Sequence, residues 1–200
     1  MKIYAQFRRP TGWLGRLVGL SMGVKNASRS RWVLGLLAAR PGERVLEVGF
    51  GAGADIARLL DAVGPGGVVV GIDASEVMVH SAAHKNRRAA AEGRLFLRHA
   101  DIADAFLEDG TFDAVYSVNC AQFWPDLAAG FEALRKATRV GGRAVVAVQP
   151  KHRDAVRADS ERWLRELGAA AASASWAVEG LELGSERVPT AAVLLRREAG

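Results

Sequence analysis

The sequence predicts an α/β protein built on an open, doubly wound sheet of mostly parallel strands. Strand-like and helix-like segments alternate between residues 43 and 150, a pattern typical of parallel strands joined by right-handed helical crossovers. Two more strand-like runs close the chain, and the link between them, residues 184–189, is too short for a helix. These two runs are therefore expected to form an antiparallel hairpin.

Each predicted strand of the alternating part is a short apolar run bounded by turn-forming residues. These strands are expected at residues 43–48, 66–73, 94–101, 111–119 and 143–150. The helices between them have apolar residues at helical spacing and recognisable ends, such as Ser75 as an N-cap, Gly93 as a stop and Pro125 in a first turn. They are expected at residues 54–64, 75–93 and 125–142.

The C-terminal part is predicted as one polar helix followed by the hairpin. The helix covers about residues 154–167, and the alanine-rich stretch 168–176 is interpreted as a loop or a frayed helix end. The hairpin strands are expected at 175–183 and 190–198. No repeat or linker marks a second domain, so the chain is predicted as one domain. Its three parts are a basic segment, a ligand-binding core and a C-terminal helix with hairpin, at residues 1–40, 41–150 and 151–200.

The positive charge is concentrated at the N-terminus. Residues 1–42 contain eight Lys and Arg but no Asp or Glu, so residues 43–200 are −3 although the whole chain is +5. Several apolar residues of this segment can share one helical face: Trp13, Leu14, Leu17, Val18 and Met22. We expect a helical lid over the active site. The alternative is a basic amphipathic helix resting on an anionic membrane.

Composition excludes several classes of protein. Half of the residues are hydrophobic and 24% are charged, as in ordinary soluble globular chains, and no apolar run is long enough to span a bilayer. The single cysteine, Cys120, excludes a disulfide framework or a cysteine-based zinc site and fits a reducing cytoplasm. His80 and His84 can share a helix face but lack a third ligand, so no metal site is predicted.

A glycine-rich turn follows the first predicted strand. Gly49, Gly51 and Gly53 bring backbone close to a ligand where a side chain would collide, although some turns merely need glycine. Glu47 lies inside the strand, where a carboxylate is costly unless it has a partner. Its partner can be a cationic ligand group or backbone N–H groups. A diphosphate would be repelled, which disfavours a dinucleotide, and Ala54 stands where the dinucleotide fingerprint usually has its third glycine.

Two more acids follow the next two strands. Asp73 ends the second strand, and its two oxygens can accept both hydroxyls of a ribose. Asp101 follows the third strand and can accept from an adenine amino group, with Ile102 against the ring. Each acid alone can equally be a helix cap or a loop residue. Together, acids after three successive strands indicate a nucleoside-binding edge.

These segments together resemble the class I S-adenosylmethionine-dependent methyltransferases, in the broad group that includes ubiquinone/menaquinone-type and other small-molecule enzymes. The resemblance covers roughly residues 30–150. It rests on "VLEVGFGAG", "VVGIDASEVMV", "HADI", "DGTFDAVYSVNCAQFWPD" and "LRKATRVGGRAVVAV". It implies a seven-stranded sheet in the order 3-2-1-4-5-7-6 with the last strand antiparallel, and S-adenosylmethionine as the cofactor.

The resemblance also assigns roles to individual residues. The three glycines would line the methionine part of the cofactor, Asp73 would hold the ribose, and Asp101 with Ile102 would border the adenine. Glu47 would order the turn or a water molecule. The residues expected to bind the cofactor are Glu47, Gly49, Gly51, Gly53, Asp73, Ala74, Met78, Asp101, Ile102 and Asn119.

The implied strand order places a crevice between the carboxyl ends of strands 1 and 4, where the chain direction reverses. The loop after the fourth strand would therefore face the sulfonium. Phe123 and Trp124 can shape an apolar acceptor pocket there or pack under the following helix. The residues expected to line the acceptor pocket are Gln122, Phe123, Trp124, Tyr4 and Asn26. No residue is assigned as a catalytic base.

The predicted function is methyl transfer to an O, N or C atom of a small molecule by in-line displacement, mainly through positioning. The arginines of the basic segment favour an acceptor with a carboxylate or phosphate. A nucleic-acid partner is not expected, peripheral membrane contact is possible, and the oligomeric state stays open. The alternatives are an RNA, peptide or protein methyltransferase, a nicotinamide-dependent oxidoreductase, and a cofactor-binding protein without turnover.

Overall fold

The computed structural model describes residues 27–199, which form one seven-stranded sheet with helices on both faces. Its strands are β1 (Arg44–Val48), β2 (Val68–Asp73), β3 (Leu95–His99), β4 (Phe112–Val118), β5 (Thr138–Val148), β6 (Ala177–Leu183) and β7 (Ala191–Arg196). Its helices are α1 (Ala27–Leu37), α2 (Ala54–Val63), α3 (Glu76–Lys85), α4 (Arg87–Ala91), α5 (Leu127–Ala137) and α6 (Arg157–Ser173).

The strand order is β3-β2-β1-β4-β5-β7-β6, which confirms the predicted fold. Strands β1 to β5 pair in parallel, and β7 is antiparallel to both β5 and β6, so the predicted hairpin is also confirmed. Because the carboxyl ends of parallel strands meet at one edge, the loops after β1, β2, β3 and β4 converge there.

The two faces of the sheet are buried in two separate cores. Leu46 and Val48 of β1 pack on the side of α5 and α6, whereas Val45 packs on the side of α1, α2 and α3. Side chains alternate along a strand, so Glu47 lies on the same face as Val45. Tyr116 of β4 is opposite Glu47 in the register and belongs to the same core. Two polar side chains are thus buried together under α1 and α2.

The single helix predicted at 75–93 is two helices, α3 and α4, separated at Asn86. This residue has φ −110° and ψ 25°, outside the helical region. Its side-chain amide donates to the carbonyls of Ala82 (2.9 Å) and Gly53 (3.3 Å). The side chain at this break therefore connects α3 to the glycine turn. No glycine or proline near Asn86 predicts the break from the sequence.

Two other predicted helix ends are wrong. Gly141 and Gly142 lie inside β5, because α5 already ends at Ala137, where the last carbonyls accept hydrogen bonds from the loop before β4. The alanine-rich stretch is helical through Ser173 rather than a loop or a frayed end. Leu167 and Ala171 anchor this last part of α6 in the core, and tertiary packing stabilises the helix there.

The predicted lid falls mostly on residues 1–26, which lie outside the described residues, as do Tyr4 and Asn26. The rest of this segment contains α1, which packs against β4, β5 and β7. Arg143 of β5 fixes the end of α1 by donating to the carbonyls of Leu37 and Ala38 (2.6 Å each). The same guanidinium donates to both carboxylate oxygens of Glu43, at 2.9 and 2.8 Å.

Replacing Arg143 by alanine should destabilise the fold. The side chains of Arg143 and Glu43 are only 11% and 10% exposed, so Arg143→Ala leaves two carbonyls without this donor and Glu43 with only the N–H of Arg40. The expected loss is about 1.5–3 kcal/mol, the range for hydrogen bonds to charged groups, measured by urea denaturation. Lys136→Ala removes the exposed pair with Glu132 and should change little. Equal losses in both variants would contradict the role of Arg143.

Candidate active site

The turn between β1 and α2 is built on three left-handed glycines. Gly49, Gly51 and Gly53 have φ values of +76°, +52° and +73°, which other residues adopt only at a cost. The N–H of Gly49 donates to Ile72 of β2 (2.8 Å), and that of Gly53 donates to Phe50 (3.0 Å). The spacing of the glycines therefore follows from the backbone path of this turn.

The three glycines differ in what surrounds them. A Cβ on Gly49 would lie 2.4 Å from the Cys120 sulfur, and one on Gly53 would lie 2.7 Å from Ala82 Cβ. At Gly51 a Cβ would have no atom of residues 27–199 within 4 Å. Gly49 and Gly53 are thus needed for close packing inside the protein, whereas the face of Gly51 is open to a ligand.

Asp73 holds this turn in place from the end of β2. Its Oδ2 accepts from the N–H of Gly51 (2.8 Å) and its Oδ1 from the N–H of Ser75 (2.9 Å). Burial raises the pKa of Asp73, and these two N–H groups, with His99, oppose the rise. Each carboxylate oxygen can accept more than one hydrogen bond, so both can still receive a ribose hydroxyl.

The end of β3 lies beside the end of β2, since Asp73 and His99 are paired in the register. Asp101 follows β3, and its Oδ1 accepts from the N–H of Ala103 at 3.3 Å. Ile102 is 5% exposed and packs in the core under the sheet. The acids predicted to bind a nucleoside thus follow adjacent strands of one sheet edge.

The other two cofactor candidates near β2 differ in exposure. Ala74 is half-buried, and its carbonyl lies 3.1 Å from Nε2 of His99. Met78 of α3 is buried in the core shared with α1 and α2.

Glu47 is an acid in an almost closed environment. It is 4% exposed, and its Oε2 has no hydrogen-bond partner in the part of the chain that the structure describes. Burial raises its pKa well above the usual range, the charges of Asp55 and Asp73 raise it further, and Arg58 opposes them. Burial therefore favours the neutral form of Glu47, which can donate a hydrogen bond as well as accept one.

Asn119 connects the ends of β4 and β5 at the crevice. It has a left-handed φ of +54°, and its N–H donates to Ala147 (2.8 Å) while its Oδ1 accepts from the N–H of Gln149 (2.8 Å). The next residue, Cys120, lies against Gly49, so the loop after β4 contacts the glycine turn. Burial raises the pKa of the Cys120 thiol to about 12, so the thiol is not a nucleophile at neutral pH.

The three aromatic and amide residues of the loop after β4 lie in different environments. Trp124 is 8% exposed, stacks edge-to-face on Phe131 of α5 at 5.7 Å between ring centroids, and contacts Gly130. Trp124 therefore packs under α5, the helix that follows it, rather than lining an open acceptor pocket. Phe123 is half-buried, and Gln122 has a buried Oε1 without a partner among residues 27–199. Gln122 and Phe123 therefore remain suited to an acceptor pocket.

The structure shows a network of polar side chains beside Glu47 that was not predicted from the sequence. The hydroxyl of Tyr116 donates to Asp55 Oδ2 (3.1 Å), and Asp55 pairs with Arg58 at 2.8 Å. Arg29 of α1 donates to Gln149 Oε1. Taken alone, the sequence around Tyr116 indicates a core residue, and that around Asp55 indicates an acid in the first turn of a helix. The alignment of strands 1 and 4, which places Tyr116 opposite Glu47, is the signal that would have predicted this network.

His80 and His84 are exposed on α3, as a solvated helix face. Within residues 27–199, no group of three or more His, Cys, Asp or Glu is placed to hold a metal ion. Of the helices in the same range, none is both long and apolar enough to cross a membrane.

Comparison with known proteins agrees with this geometry. A family model described as "Methyltransferase domain" matches residues 45–142, and the chain is 30% identical over 151 residues to the uncharacterized methyltransferase YdaC of Bacillus subtilis, covering 76% of this chain and 81% of YdaC. The chain belongs to the class I S-adenosylmethionine-dependent methyltransferases. This membership sets aside the nicotinamide-dependent oxidoreductase.

Two further relatives extend the comparison. The chain is 39% identical over 117 residues to nocamycin O-methyltransferase of Saccharothrix syringae, but it spans only 40% of that protein's length and 57% of its own. A solved geranyl diphosphate methyltransferase in complex with SAM has the same fold, with a TM-score of 0.72 and 15% identity over 97% of this chain and 94% of that one.

The cofactor of this methyltransferase family is S-adenosylmethionine, and the residues at the crevice fit it. The open face of Gly51 leaves room for a ligand beside the Asp73 carboxylate. The Glu47 oxygen that has no partner among residues 27–199 is buried beside the same turn, and such groups usually have a partner in the functional state. Burial favours the neutral form of Glu47, which would repel the carboxylate of an amino-acid moiety less than a charged form would.

An alanine at Gly51 should separate folding from cofactor binding. Gly51→Ala adds a side chain into the open space and retains a left-handed backbone, so we expect a stability loss of about 1–2 kcal/mol and a much larger loss of affinity for S-adenosylhomocysteine. Gly93→Ala is the matched control, since Gly93 also has a left-handed φ of +71° and nothing within 4 Å of an added Cβ. It should lose similar stability without losing affinity. Equal affinity losses would show that the open face is not used.

Glu47→Gln should change how stability depends on pH. The raised pKa of Glu47 means that above pH 4.5, its ordinary value, the unfolded chain loses this proton before the folded chain does. Glu47 therefore lowers the stability of the wild type as pH rises from 4.5 towards its folded pKa, and the glutamine variant should become increasingly more stable than wild type over that range in urea denaturation. A stability difference that does not vary with pH would contradict a raised pKa of Glu47.

Glu132→Gln is a control of opposite sign for this experiment. The hydrogen bond from Lys136 lowers the pKa of Glu132. This variant should therefore not gain stability above pH 4.5, and its loss should be small because the pair is exposed.

Proposed function

We propose that the protein transfers the methyl group of S-adenosylmethionine to a small-molecule acceptor. The observation that carries the proposal is the open face of Gly51 at the crevice between β1 and β4, with Asp73 on one side and the loop after β4 on the other. Bound cofactor would present an electrophilic methyl group at this crevice. The acceptor atom, whether O, N or C, stays open.

Each cofactor contact is proposed from the position of its residue. Asp73 would receive the ribose hydroxyls while it holds Gly51, and Asp101 with Ile102 would border the adenine, because both follow β3 next to the end of β2. Gly49, Gly53 and Met78 would support this site mainly through packing.

The part nearest the transferred methyl group is proposed in the same way. Asn119 would form the wall beside the methionine moiety, fixed by its bonds to the end of β5. Gln122 and Phe123, on the same loop, would contact the acceptor. Glu47 would bind the ammonium group of the cofactor directly or through a water molecule.

Catalysis would rest on positioning, because the buried groups near the crevice are poor bases. The Cys120 thiol has a pKa of about 12. Burial also raises the pKa of Tyr116, and its hydroxyl donates to Asp55 rather than accepting a proton. In-line displacement on an activated donor needs alignment more than proton transfer. These residues therefore hold the reactants in place and exclude water.

A small-molecule acceptor is favoured by the relatives. Two of them are named for nocamycin and geranyl diphosphate. Within the chain itself, the argument for an RNA, peptide or protein acceptor is the basic segment 1–42, most of which lies outside the described residues. The third alternative, cofactor binding without turnover, becomes an outcome of the experiment.

The experiment combines cofactor titration with a screen for methyl transfer. Asp73→Ala should weaken binding of S-adenosylhomocysteine by about 1.5–3 kcal/mol in calorimetry, the range for charge-assisted hydrogen bonds. Asp104→Ala, an exposed acid on the loop after β3, is the control and should bind as wild type. Unchanged affinity in the Asp73 variant would overturn the ribose assignment.

The acceptor class follows from labelled methyl transfer into a cell extract. Label from S-adenosylmethionine should enter the low-molecular-mass fraction and resist nuclease and protease treatment, and it should fall with Asp73→Ala. Label in the nucleic-acid or protein fraction would support the macromolecular alternative. Cofactor binding with no label in any fraction would point to a protein without turnover.

A further inference from the structure

Arg29, near the start of α1, is a buried cation that forms no ion pair with any of residues 27–199. It is only 5% exposed, and burial lowers the pKa of its guanidinium against the opposing charges of Glu186 and Asp55. Among residues 27–199 its hydrogen bond is the one from Nη1 to Gln149 Oε1, and its Nε is buried with no partner. A buried charge without compensation is costly, which indicates that an anion completes this site.

The hydrogen bond to Gln149 determines which edge of the guanidinium is available. Nη1 is engaged, so the edge formed by Nε and Nη2 remains for a ligand. Two parallel N–H groups on one edge match the spacing of two oxygens of a carboxylate or a phosphate. The geometry of the site therefore suits an oxyanion better than a single neutral acceptor.

A second cation lies nearby. Lys151 follows β5, and desolvation by surrounding atoms together with the charge of Arg29 lowers the pKa of its ammonium to about 8, although the residue as a whole is exposed. Two neighbouring positive charges repel each other. An anion bound between them would relieve this repulsion and receive hydrogen bonds from both.

The position of the two cations places the anion on the acceptor side of the crevice. Gln149 follows β5 directly, and its N–H donates to Asn119 of the loop after β4. The nucleoside candidates, Asp73 and Asp101, follow β2 and β3 on the opposite side of β1. A cofactor that extends from β3 towards β4 would leave the region beyond β4, at the end of β5, for the second substrate.

We propose that Arg29 and Lys151 bind an oxyanion group, a carboxylate or a phosphate, of the methyl acceptor. This inference rests on the proposed function and narrows its substrate class to small acids. Arg29 belongs to the acid-free segment whose arginines led us to expect an anionic acceptor. The structure identifies Arg29 as a buried arginine of that segment that can bind the anion.

The test measures the binding of simple oxyanions to protein that is saturated with S-adenosylhomocysteine, so that the cofactor's own carboxylate already occupies its place. Benzoate and inorganic pyrophosphate are titrated separately and followed by NMR. The wild type should bind at least one of them saturably, and the preferred probe identifies a carboxylate or a phosphate as the ligand group.

Substitutions then assign the binding to the two cations. Arg29→Gln should weaken the preferred probe by about tenfold or more, as expected when a charge-assisted hydrogen bond is lost. Arg31→Gln is the matched control on the same helix, since Arg31 is exposed and bonds only to Ala27 within the described residues. It should bind the probe as wild type. Lys151→Gln, at an exposed position, should also weaken binding and tests the site even if the Arg29 variant does not fold.

Three results would overturn the inference. The first is that neither oxyanion binds the wild type saturably, and the second is that the Arg31 variant loses as much affinity as the others. The third is that Arg29→Gln weakens the binding of S-adenosylhomocysteine but not that of 5′-methylthioadenosine. Because 5′-methylthioadenosine lacks the amino-acid carboxylate of S-adenosylhomocysteine, this result would show that Arg29 binds the cofactor's carboxylate instead of the acceptor. A wild type that does not bind S-adenosylhomocysteine at all would refute the proposed function itself.

Discussion

The hydrogen bond between the Gly51 N–H and the Asp73 carboxylate holds the site together. Every second residue of the glycine turn, from Gly49 to Gly53, is left-handed. Such a conformation has little stability of its own. Asp73 fixes it from β2, Cys120 supports it from the loop after β4, and Asn86 binds the carbonyl of Gly53 from the end of α3. A ligand that contacts this turn is therefore bound by a preorganised backbone rather than by a loop that must be ordered on binding.

The second organising feature is a buried polar layer between the sheet and helices α1 and α2. Burial raises the pKa of Glu47 there, whereas Tyr116, Asp55 and Arg58 form hydrogen bonds with one another. Arg29 has no ion-pair partner within residues 27–199, and it donates to Gln149, which directly follows β5. Burying unpaired polar groups costs free energy. The Glu47 oxygen and the Arg29 nitrogen, which have no partner among the described residues, are therefore two positions where a ligand would complete the hydrogen bonding.

The comparisons and the geometry contribute different parts of the conclusion. Family membership identifies the cofactor and the fold, and it rests on residues 45–142 and on the similarity to YdaC. It says little about the acceptor, because Arg29, Gln149 and Lys151 all lie outside the matched range. The proposed anion contacts therefore lie in α1 and in the segment after β5, which are joined by the hydrogen bond from Arg29 to Gln149.

The sequence by itself determined the sheet, the glycine turn and the acids after β2 and β3, because alternating periodicity and turn-forming residues are local properties of the chain. Local patterns could not find the break at Asn86, the end of α5 at Ala137 or the helical alanine stretch, since packing and hydrogen bonds to distant segments decide these. Local patterns also could not distinguish Gly51, which has an open face, from Gly49 and Gly53, which are closely packed. The contact between Arg29 and Gln149 joins residues 120 positions apart. Only the tertiary structure brings such groups together, because the packing of α1 against β4, β5 and β7, rather than the composition of either segment, sets the distance between them.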